Sequence, residues 1–324
     1  MNLFTYLFFD EIKPNIEKLL KCSVSRSNYT KKYIDYKIGG YLDDSRVEEL
    51  EHVIKRKVNI IHSDFNFTVR VYNFYLGSEC DFEYVTQKDS LILGYGYDGL
   101  VTIPINHETN NFILVGASGS GKSSLAQSII ANLKNNEVQT WISDNKGSHD
   151  YDFLNLRLTK DVYGFMKLLD EFEDEVERRL KQNISHKPLL YVIDEVFPIS
   201  CTDNKIKTSI FNKLSLVLSR CRSANCHVMI ISQRSTTDVI DPRLLANISN
   251  RICLMTASKQ ESVNVLSDDR AFRIDKIGRG ILSINGHLSE FQSFYMKNRK
   301  VEFEVIPTPT PNLAGSELLY EVNG

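Results

Sequence analysis

One octapeptide limits what this chain can fold into more than any other stretch. Gly116-Ala117-Ser118-Gly119-Ser120-Gly121-Lys122-Ser123 follows the apolar run Phe112–Val115 and precedes a helical pattern from Ser124 to Leu133. A glycine-rich turn between a strand and a helix N-terminus offers successive backbone N–H groups to a polyphosphate. In that setting Lys122 neutralises the β- and γ-phosphate oxygens, and the Ser123 hydroxyl ligates a magnesium ion. Residues 116–124 are therefore the expected nucleotide cradle. A glycine turn that served only structure would need neither a lysine nor a serine at those two positions.

The surrounding sequence has the texture that such a turn requires. Apolar runs at Phe112–Val115, Val138–Ser143, Leu189–Ile193, Val228–Ile231 and Arg251–Met255 are separated by long helical segments. Runs that are apolar on both sides predict a mainly parallel sheet with helices covering its two faces, an α/β fold. Over 161–181, Phe165, Leu168, Leu169, Phe172, Val176 and Leu180 recur at three- and four-residue steps. This predicts an amphipathic helix whose acidic run at 170–177 is its solvated face. Leu91–Gly94 with Val101, Ile103 and Ile105 predicts a short β-ribbon leading in.

A second signal completes the chemistry. Leu189–Ile193 reads as a buried strand ending in Asp194-Glu195. Asp194 would hold the magnesium shell, and Glu195 would polarise the water that attacks the γ-phosphate. The run Val228–Ile231 ends in Ser232-Gln233-Arg234, where Gln233 could hydrogen-bond the γ-phosphate or serve only as a satisfied strand-end amide. No Asn-Lys-x-Asp guanine-reading motif is present, which favours adenine.

Residues 1–88 read as a small α+β unit. Residues 44–56 place Val47, Leu50, Val53 and Ile54 on one helical face, with Asp44 or Ser45 as N-cap. Phe65, Phe67, Val69 and Val71 then alternate with Asn66, Thr68, Arg70 and Tyr72, as in a half-buried strand. The opening Met1–Phe9 run is expected to be an amphipathic helix packed on its own domain, not a signal peptide. The expected organisation is a small adaptor at 1–88, the α/β unit at 89–305, and a Pro-Thr-Pro-Thr-Pro linker with tail at 306–324.

Composition narrows the function. The 324 residues carry 39 Lys+Arg against 41 Asp+Glu, a formal charge of -2. That argues against a protein coated with nucleic acid or anionic lipid, but not against a local basic groove. Six cysteines without a CxxC pair predict reduced thiols, and Cys221 and Cys226 are expected to be buried and structural. No stretch approaches the ~20 apolar residues of a membrane span, so a cytoplasmic protein, brought to a membrane only by a partner, is expected.

Further segments carry a family resemblance. The P-loop is followed by Trp141-Ile-Ser-Asp144-Asn145-Lys146-Gly147, Tyr191-Val-Ile-Asp194-Glu195, Ser219-Arg-Cys-Arg222-Ser, Ile231-Ser-Gln233-Arg234, Leu245-Ala-Asn-Ile-Ser-Asn-Arg251 and Ile277-Gly-Arg-Gly-Ile-Leu282. Over residues 90–300 this series resembles the FtsK/SpoIIIE motor domain, and 36–75 is loosely similar to the small domain beside it in translocases and conjugative coupling proteins. The resemblance implies a RecA-like ATPase using ATP and Mg²⁺, assembled as a homo-oligomeric, usually hexameric, ring that pumps double-stranded DNA. It also implies an arginine supplied by the neighbouring subunit, for which Arg222, Arg251 and Arg234 are the candidates. Asp144 and Lys146 match the family's Asp-x-Lys-Gly segment, whose implied place is subunit-facing or near the nucleotide. The family's membrane helices and DNA-orienting module have no counterpart in this length, so transfer of a mobile element with a membrane-anchored or relaxase-type partner fits better than chromosome pumping. A secretion-type ATPase moving protein, or a DNA-packaging ATPase, is the alternative. Residues 144–152 and 204–207 are expected to be loops.

Overall fold

The apolar runs become strands of one large sheet, and the first seventy-odd residues build a second, smaller one. The computed structural model describes residues 3–297, apart from positions 31, 64, 65, 73, 74, 110, 183, 185, 201, 237 and 238. The Pro-rich tail and Phe65 of the predicted alternation lie outside the described residues.

The small unit consists of helix α1 (Leu3–Leu20), strands β1 (Val24–Tyr29) and β2 (Tyr33–Ile38), helix α2 (Val47–Ile54), and strands β3 (Val58–Ser63) and β4 (Asn66–Tyr72). Its strands are antiparallel in the order β1-β2-β4-β3. Ile12 and Ile16 of α1 join Leu50 and Ile54 of α2 over Val69 and Val71 of β4, which are fully buried. The helix at 44–56 starts later than its polar residues suggest. Asp44–Arg46 form a 3-10 turn, and the N-cap Arg46 makes no side-chain capping bond. Asp43 takes the Ser45 N–H at 2.7 Å instead, an Asx turn that competes with helix initiation. Val53, expected on the buried face, is 38% exposed. The other face of β4 is also not solvated as the alternation predicts. Tyr72 is buried and donates its hydroxyl to Asp98 Oδ2 at 2.7 Å.

The large sheet is reached through the hairpin β5 (Ser90–Gly96) and β6 (Gly99–Pro104), the predicted ribbon. Then follow β7 (Phe112–Val115), α3 (Lys122–Asn135), β8 (Gln139–Asp144), β9 (Arg157–Thr159), α4 (Val162–Gln182) and β10 (Leu189–Asp194). After these come α5 (Phe197–Ser200), α6 (Asn204–Arg220), β11 (Cys226–Ser232), α7 (Pro242–Leu245), β12 (Asn250–Leu254) and α8 (Lys259–Leu266). The antiparallel pair β13 (Arg279–Ile284) and β14 (His287–Ser293) closes the order β6-β5-β14-β13-β12-β7-β11-β10-β8-β9. From β12 to β9 every neighbouring pair is parallel, so the mainly parallel centre carries an antiparallel extension.

Alternation within each central strand builds two cores. Phe112 and Leu114 of β7 pack with α3, whereas Ile113 and Val115 pack with α4 and α6. Leu190 and Val192 of β10 divide in the same way from Leu189, Tyr191 and Ile193. Burial on both faces is what a parallel sheet with helical layers demands. Residues 204–207, expected as a loop, are instead the first turn of α6, whose N-cap Asp203 accepts from Lys205 N. Cys221 and Cys226 are buried, and burial pushes both thiols up to about 12, so they are inert packing groups. Among the described residues no helix is long and apolar enough to cross a membrane.

Candidate active site

Parallel strands present their C-terminal ends on one edge, and there β11 separates β7 from β10. Strands are about 4.8 Å apart, so the turn after β7 and the acids after β10 face each other across about 10 Å. That gap suits a bound polyphosphate and its cation.

On the β7 side the chain turns through Gly119 at φ 77° and Gly121 at φ 103° into α3. Positive φ at both positions is a conformation that side chains resist. Gly121 also lies against Gly278, whose backbone N would be 3.2 Å from any Cβ added there. The turn is braced from two sides, by Ala117 N to Met255 O at 2.7 Å and Gly278 N to Ser120 O at 2.9 Å. Both braces come from the β12–β13 side of the sheet. The family resemblance marks 277–282, but this bracing role carries no local sequence signal.

Lys122 at the first position of α3 is buried, and its ammonium donates to Gly116 O at 2.6 Å and Ala117 O at 2.8 Å. Burial, and then repulsion from Lys146, pull its pKa down to about 8. The Ser120 hydroxyl is buried without a hydrogen-bond partner among the described residues, a donor that a phosphate oxygen would satisfy. Ser123 and Ser124, in the first turn of α3, are partly exposed. A Ser123 hydroxyl and an Asp194 carboxylate are hard oxygen donors that fit magnesium, which needs few protein ligands when phosphates and water supply the rest.

On the β10 side Asp194 is fully buried. Its Oδ1 accepts from Lys146 Nζ at 2.9 Å and its Oδ2 from the Tyr151 hydroxyl at 2.8 Å. Burial raises the Tyr151 phenol well above its ordinary value, and the Asp194 charge adds to this, so it stays a donor. Glu195 follows at φ 70°, in the left-handed region where a non-glycine residue is strained by about 1–2 kcal/mol. Its N–H bonds Ile231 O at 3.0 Å and its Oε1 accepts from Ser232 Oγ at 3.4 Å. At this φ the chain leaves the strand one residue after Asp194.

Of the expected loop 144–152, residues 145–151 are a loop, but a tied one, while Asp144 ends β8 and Asp152 opens a 3-10 turn. Asp144, buried at the end of β8, accepts from Lys146 N at 3.1 Å and Ser148 Oγ at 2.6 Å. Asn145 N bonds Asp194 O at 3.0 Å, and Asn145 Nδ2 bonds Glu195 O at 3.0 Å. Gln127 of α3 donates to Asp150 O at 2.8 Å. Lys146 thus reaches the acid itself, a position the motif alone does not reveal, and Tyr151 gives no sequence signal.

The remaining candidates separate. Gln233 is exposed just past β11, between the glycine turn and the acids, and Arg234 follows it. Arg222 is exposed in the 3-10 turn Cys221–Ala224 that precedes β11. It therefore lies at the opposite edge of the sheet, about 20 Å away at strand rise. Arg251 sits near the start of β12, at that same far edge. Its guanidinium donates to Val265 O at 2.9 Å, Ile248 O at 3.2 Å and Leu245 O at 3.3 Å. Its donors thus tie α7, α8 and the turn at Ile248 to the sheet.

Comparison with known proteins agrees with this geometry. Residues 85–291, more than half of the chain, match the FtsK/SpoIIIE family. The chain belongs to that family. Curated relatives are the DNA translocase FtsK of Borreliella burgdorferi, 26% identical over 249 residues, and that of Staphylococcus aureus, 21% identical over 258 residues. These matches cover 65% and 66% of this chain but only 31% and 32% of those proteins, so the chain spans about a third of their length. Among solved structures, the pCW3 conjugation coupling protein TcpA, in a monomer form with ATPgS, superposes with a TM-score of 0.63 at 19% identity. That alignment covers 88% of this chain and 94% of TcpA. The ATPases 2 and 3 of Thermomonospora curvata EccC, in complex with a signal sequence peptide, give 0.55 at 14% identity, covering 81% and 52%. These likenesses place the fold among P-loop ATPases of the FtsK/SpoIIIE family.

Proposed function

We propose that the chain is an ATP-hydrolysing motor that translocates double-stranded DNA, acts as a homo-oligomeric, hexameric ring, and serves DNA transfer of a mobile element. One observation carries the hydrolytic part: Lys122 and Ser123 face Asp194 and Glu195 across a single intervening strand. When bound, magnesium supplies charge neutralisation between the β- and γ-phosphates. In this reading Gly116–Gly121 wrap the phosphates with backbone N–H groups, and Lys122 pairs with their oxygens. Ser123 and Asp194 hold the cation and its water, Glu195 orients the attacking water, and Gln233 reports the γ-phosphate. Arg222, exposed at the far edge, is the arginine offered to the neighbouring subunit's site.

The translocation part rests on membership of a family whose curated relatives are DNA translocases. The transfer role rests on the likeness of fold to a conjugation coupling protein along nearly the whole chain. We assign residues 1–88 to an adaptor unit, 89–305 to the motor and 306–324 to a linker and tail, in a cytoplasmic protein recruited by a membrane-anchored or relaxase-type partner. Segment 80–85 already leans on the motor, through Tyr295 N to Cys80 O at 2.8 Å and Val85 N to Asn132 Oδ1 at 2.9 Å.

The test is ATP turnover with and without double-stranded DNA, alongside oligomeric state with magnesium nucleotide. DNA should stimulate turnover, Lys122→Ala should abolish it, and Glu195→Gln should assemble and bind ATP yet turn over at least a hundredfold more slowly. Turnover indifferent to DNA, with an exported polypeptide recovered on the trapped variant, would move the reading to protein transport.

A further inference from the structure

The tied loop 145–151 poses a question of charge. A fully buried carboxylate is stable only with its lone pairs used and its charge opposed. Asp194 meets both conditions through Lys146 at 2.9 Å and Tyr151 at 2.8 Å, both from this one segment. The pair is unequal in mobility. Asp194 is on a central strand with no exposed surface, whereas the Lys146 side chain keeps 23% of its surface exposed. Lys146 can leave for water on its long stem, and Asp194 cannot follow. Lys146 is also unwelcome beside the phosphate site, because its charge repels Lys122.

We infer that Lys146 is the resident counter-cation of Asp194, displaced when magnesium nucleotide binds, and that its departure loosens the segment 145–151. The inference rests on the ATPase reading above and adds a positioning residue to it. A dication and an ammonium compete for one buried carboxylate, since each neutralises a charge the other needs. The ammonium swings into solvent, where its hydration is recovered. The ties of Asn145 to the neighbouring backbone then remain, Asn145 N to Asp194 O and Asn145 Nδ2 to Glu195 O. The side-chain tether one residue further along is lost. Tyr151 keeps its bond to Oδ2, and Gln127 keeps Asp150, so the segment pivots between fixed ends instead of unravelling. The occupancy of the site is thereby transmitted to a surface loop.

Amine acetylation of the full chain, read residue by residue by mass spectrometry, tests this without turnover. Three conditions are compared: no nucleotide, a non-hydrolysable ATP analogue with EDTA, and the analogue with magnesium. Lys146 labelling should rise at least threefold only in the third, while Lys122 labelling falls wherever the analogue binds. Hydrogen exchange over 145–149 should speed up in the same condition. In Lys146→Met, half-saturation of nucleotide binding by magnesium should shift about tenfold lower, and in Lys146→Arg it should stay near the wild-type value. Protection of Lys122 with unchanged or reduced Lys146 labelling would overturn the displacement and leave the ATPase reading intact. No protection of Lys122 in either nucleotide condition would remove both. The wild-type footprint stands whether or not the methionine variant folds.

Discussion

Asp194, fully buried, and Glu290, half-buried, are each opposed by lysine or arginine, and they are held in opposite ways. Asp194 is opposed by Lys146, a side chain of a loop with its stem partly in water. Glu290, on β14 at the junction with the small unit, is opposed by Arg279 of β13 at 2.8 Å and Lys57 beside β3 at 3.0 Å. Arg279 is buried, and every part of its fork is used: Nε on Gln292, Nη1 on Glu290, and Nη2 on the carbonyls of Leu76 and Gly77. Lys57 is shared further with Glu51 at 3.2 Å. At the junction the buried Arg279 cannot leave, even if the partly exposed Lys57 does, and at the site the one cation can. The same chemistry therefore builds a clamp in one place and an exchangeable contact in the other. The exchangeable one stands where the proposed ATPase reading puts the magnesium ion.

Neutralising each acid separates the two roles. Asp194→Asn should reduce ATP turnover by more than a hundredfold, because the cation loses its carboxylate. Its stability cost should stay at about 1 kcal/mol, since Asn still accepts from Tyr151 and the released Lys146 moves to solvent instead of being stranded. Glu290→Gln should do the reverse. It takes the carboxylate from the buried Arg279, while Lys57 keeps Glu51, and leaving a buried charge short of its partner costs about 3 kcal/mol. Chemical denaturation with turnover measured on the same samples checks the crossing. Equal destabilisation by both substitutions would show that Lys146 is as captive as Arg279, and the contrast would be lost.

Arg279→Met sharpens the junction half of the comparison. It removes the bonds that fix Leu76 and Gly77, the chain between the two units, at about 1.5–3 kcal/mol for hydrogen bonds to a charged group. A cleft of about 630 Å³ lined by Lys57, Tyr72 and Glu290 together with Ile60, Leu100 and Ile281 lies along this junction, so the clamp borders an open seam of mixed polar and apolar lining. Limited proteolysis should cut the variant near residues 75–80 at least tenfold faster, with the large unit left whole. Cleavage at the wild-type rate would show that Arg70 and Tyr72 on Asp98 hold the units together by themselves.

Acid should weaken the clamp as well. Burial alone would raise the Glu290 carboxyl, but Lys57 and Arg279 overcome it and hold the group below its ordinary value of 4.5. A depressed carboxyl contributes stability that is present above the unfolded value and is lost as pH falls through the folded one. Cleavage at 75–80 should therefore accelerate below about pH 4.5, and Glu290→Gln should flatten that dependence. An unchanged acid limb in the variant would assign it to other carboxyls.

The readability of the sequence follows the same divide. Strands β7, β8, β10, β11 and β12 lie within two residues of their apolar runs, because burial on both faces leaves no other reading of those runs. Helix α4 is equally plain from its three- and four-residue repeat. The Asn204–Lys207 turn was not legible, since polar N-terminal helix residues resemble a loop until Asp203 is seen capping them. Nor was the second buried face of β4, where Tyr72 waits on Asp98 from a distant hairpin. At the site, the glycine turn and the Asp194-Glu195 pair could be read because each is contiguous in sequence. The Lys146–Asp194 and Gly278–Gly121 contacts join separate segments, and local pattern holds no trace of them.

The smallest effect tests the site through protons. Lys122, held at about 8 by burial and by Lys146, is partly neutral at mildly alkaline pH. Its folded value lies below the ordinary 10.5, so between about pH 8 and 10.5 the unfolded chain binds more protons and this group's contribution to stability rises with pH. A polyphosphate beside it raises the pKa again, so nucleotide binding at pH 8 should take up as much as about half a proton. Calorimetry in two buffers of different ionisation heat measures that uptake. In Lys146→Met the second cause of the depression is absent, so Lys122 starts more fully charged and the uptake should shrink. A larger uptake in that variant would mean that Lys146 gains, instead of losing, contact with the acid when nucleotide binds, and the exchangeable contact would then be a clamp like the one on Glu290.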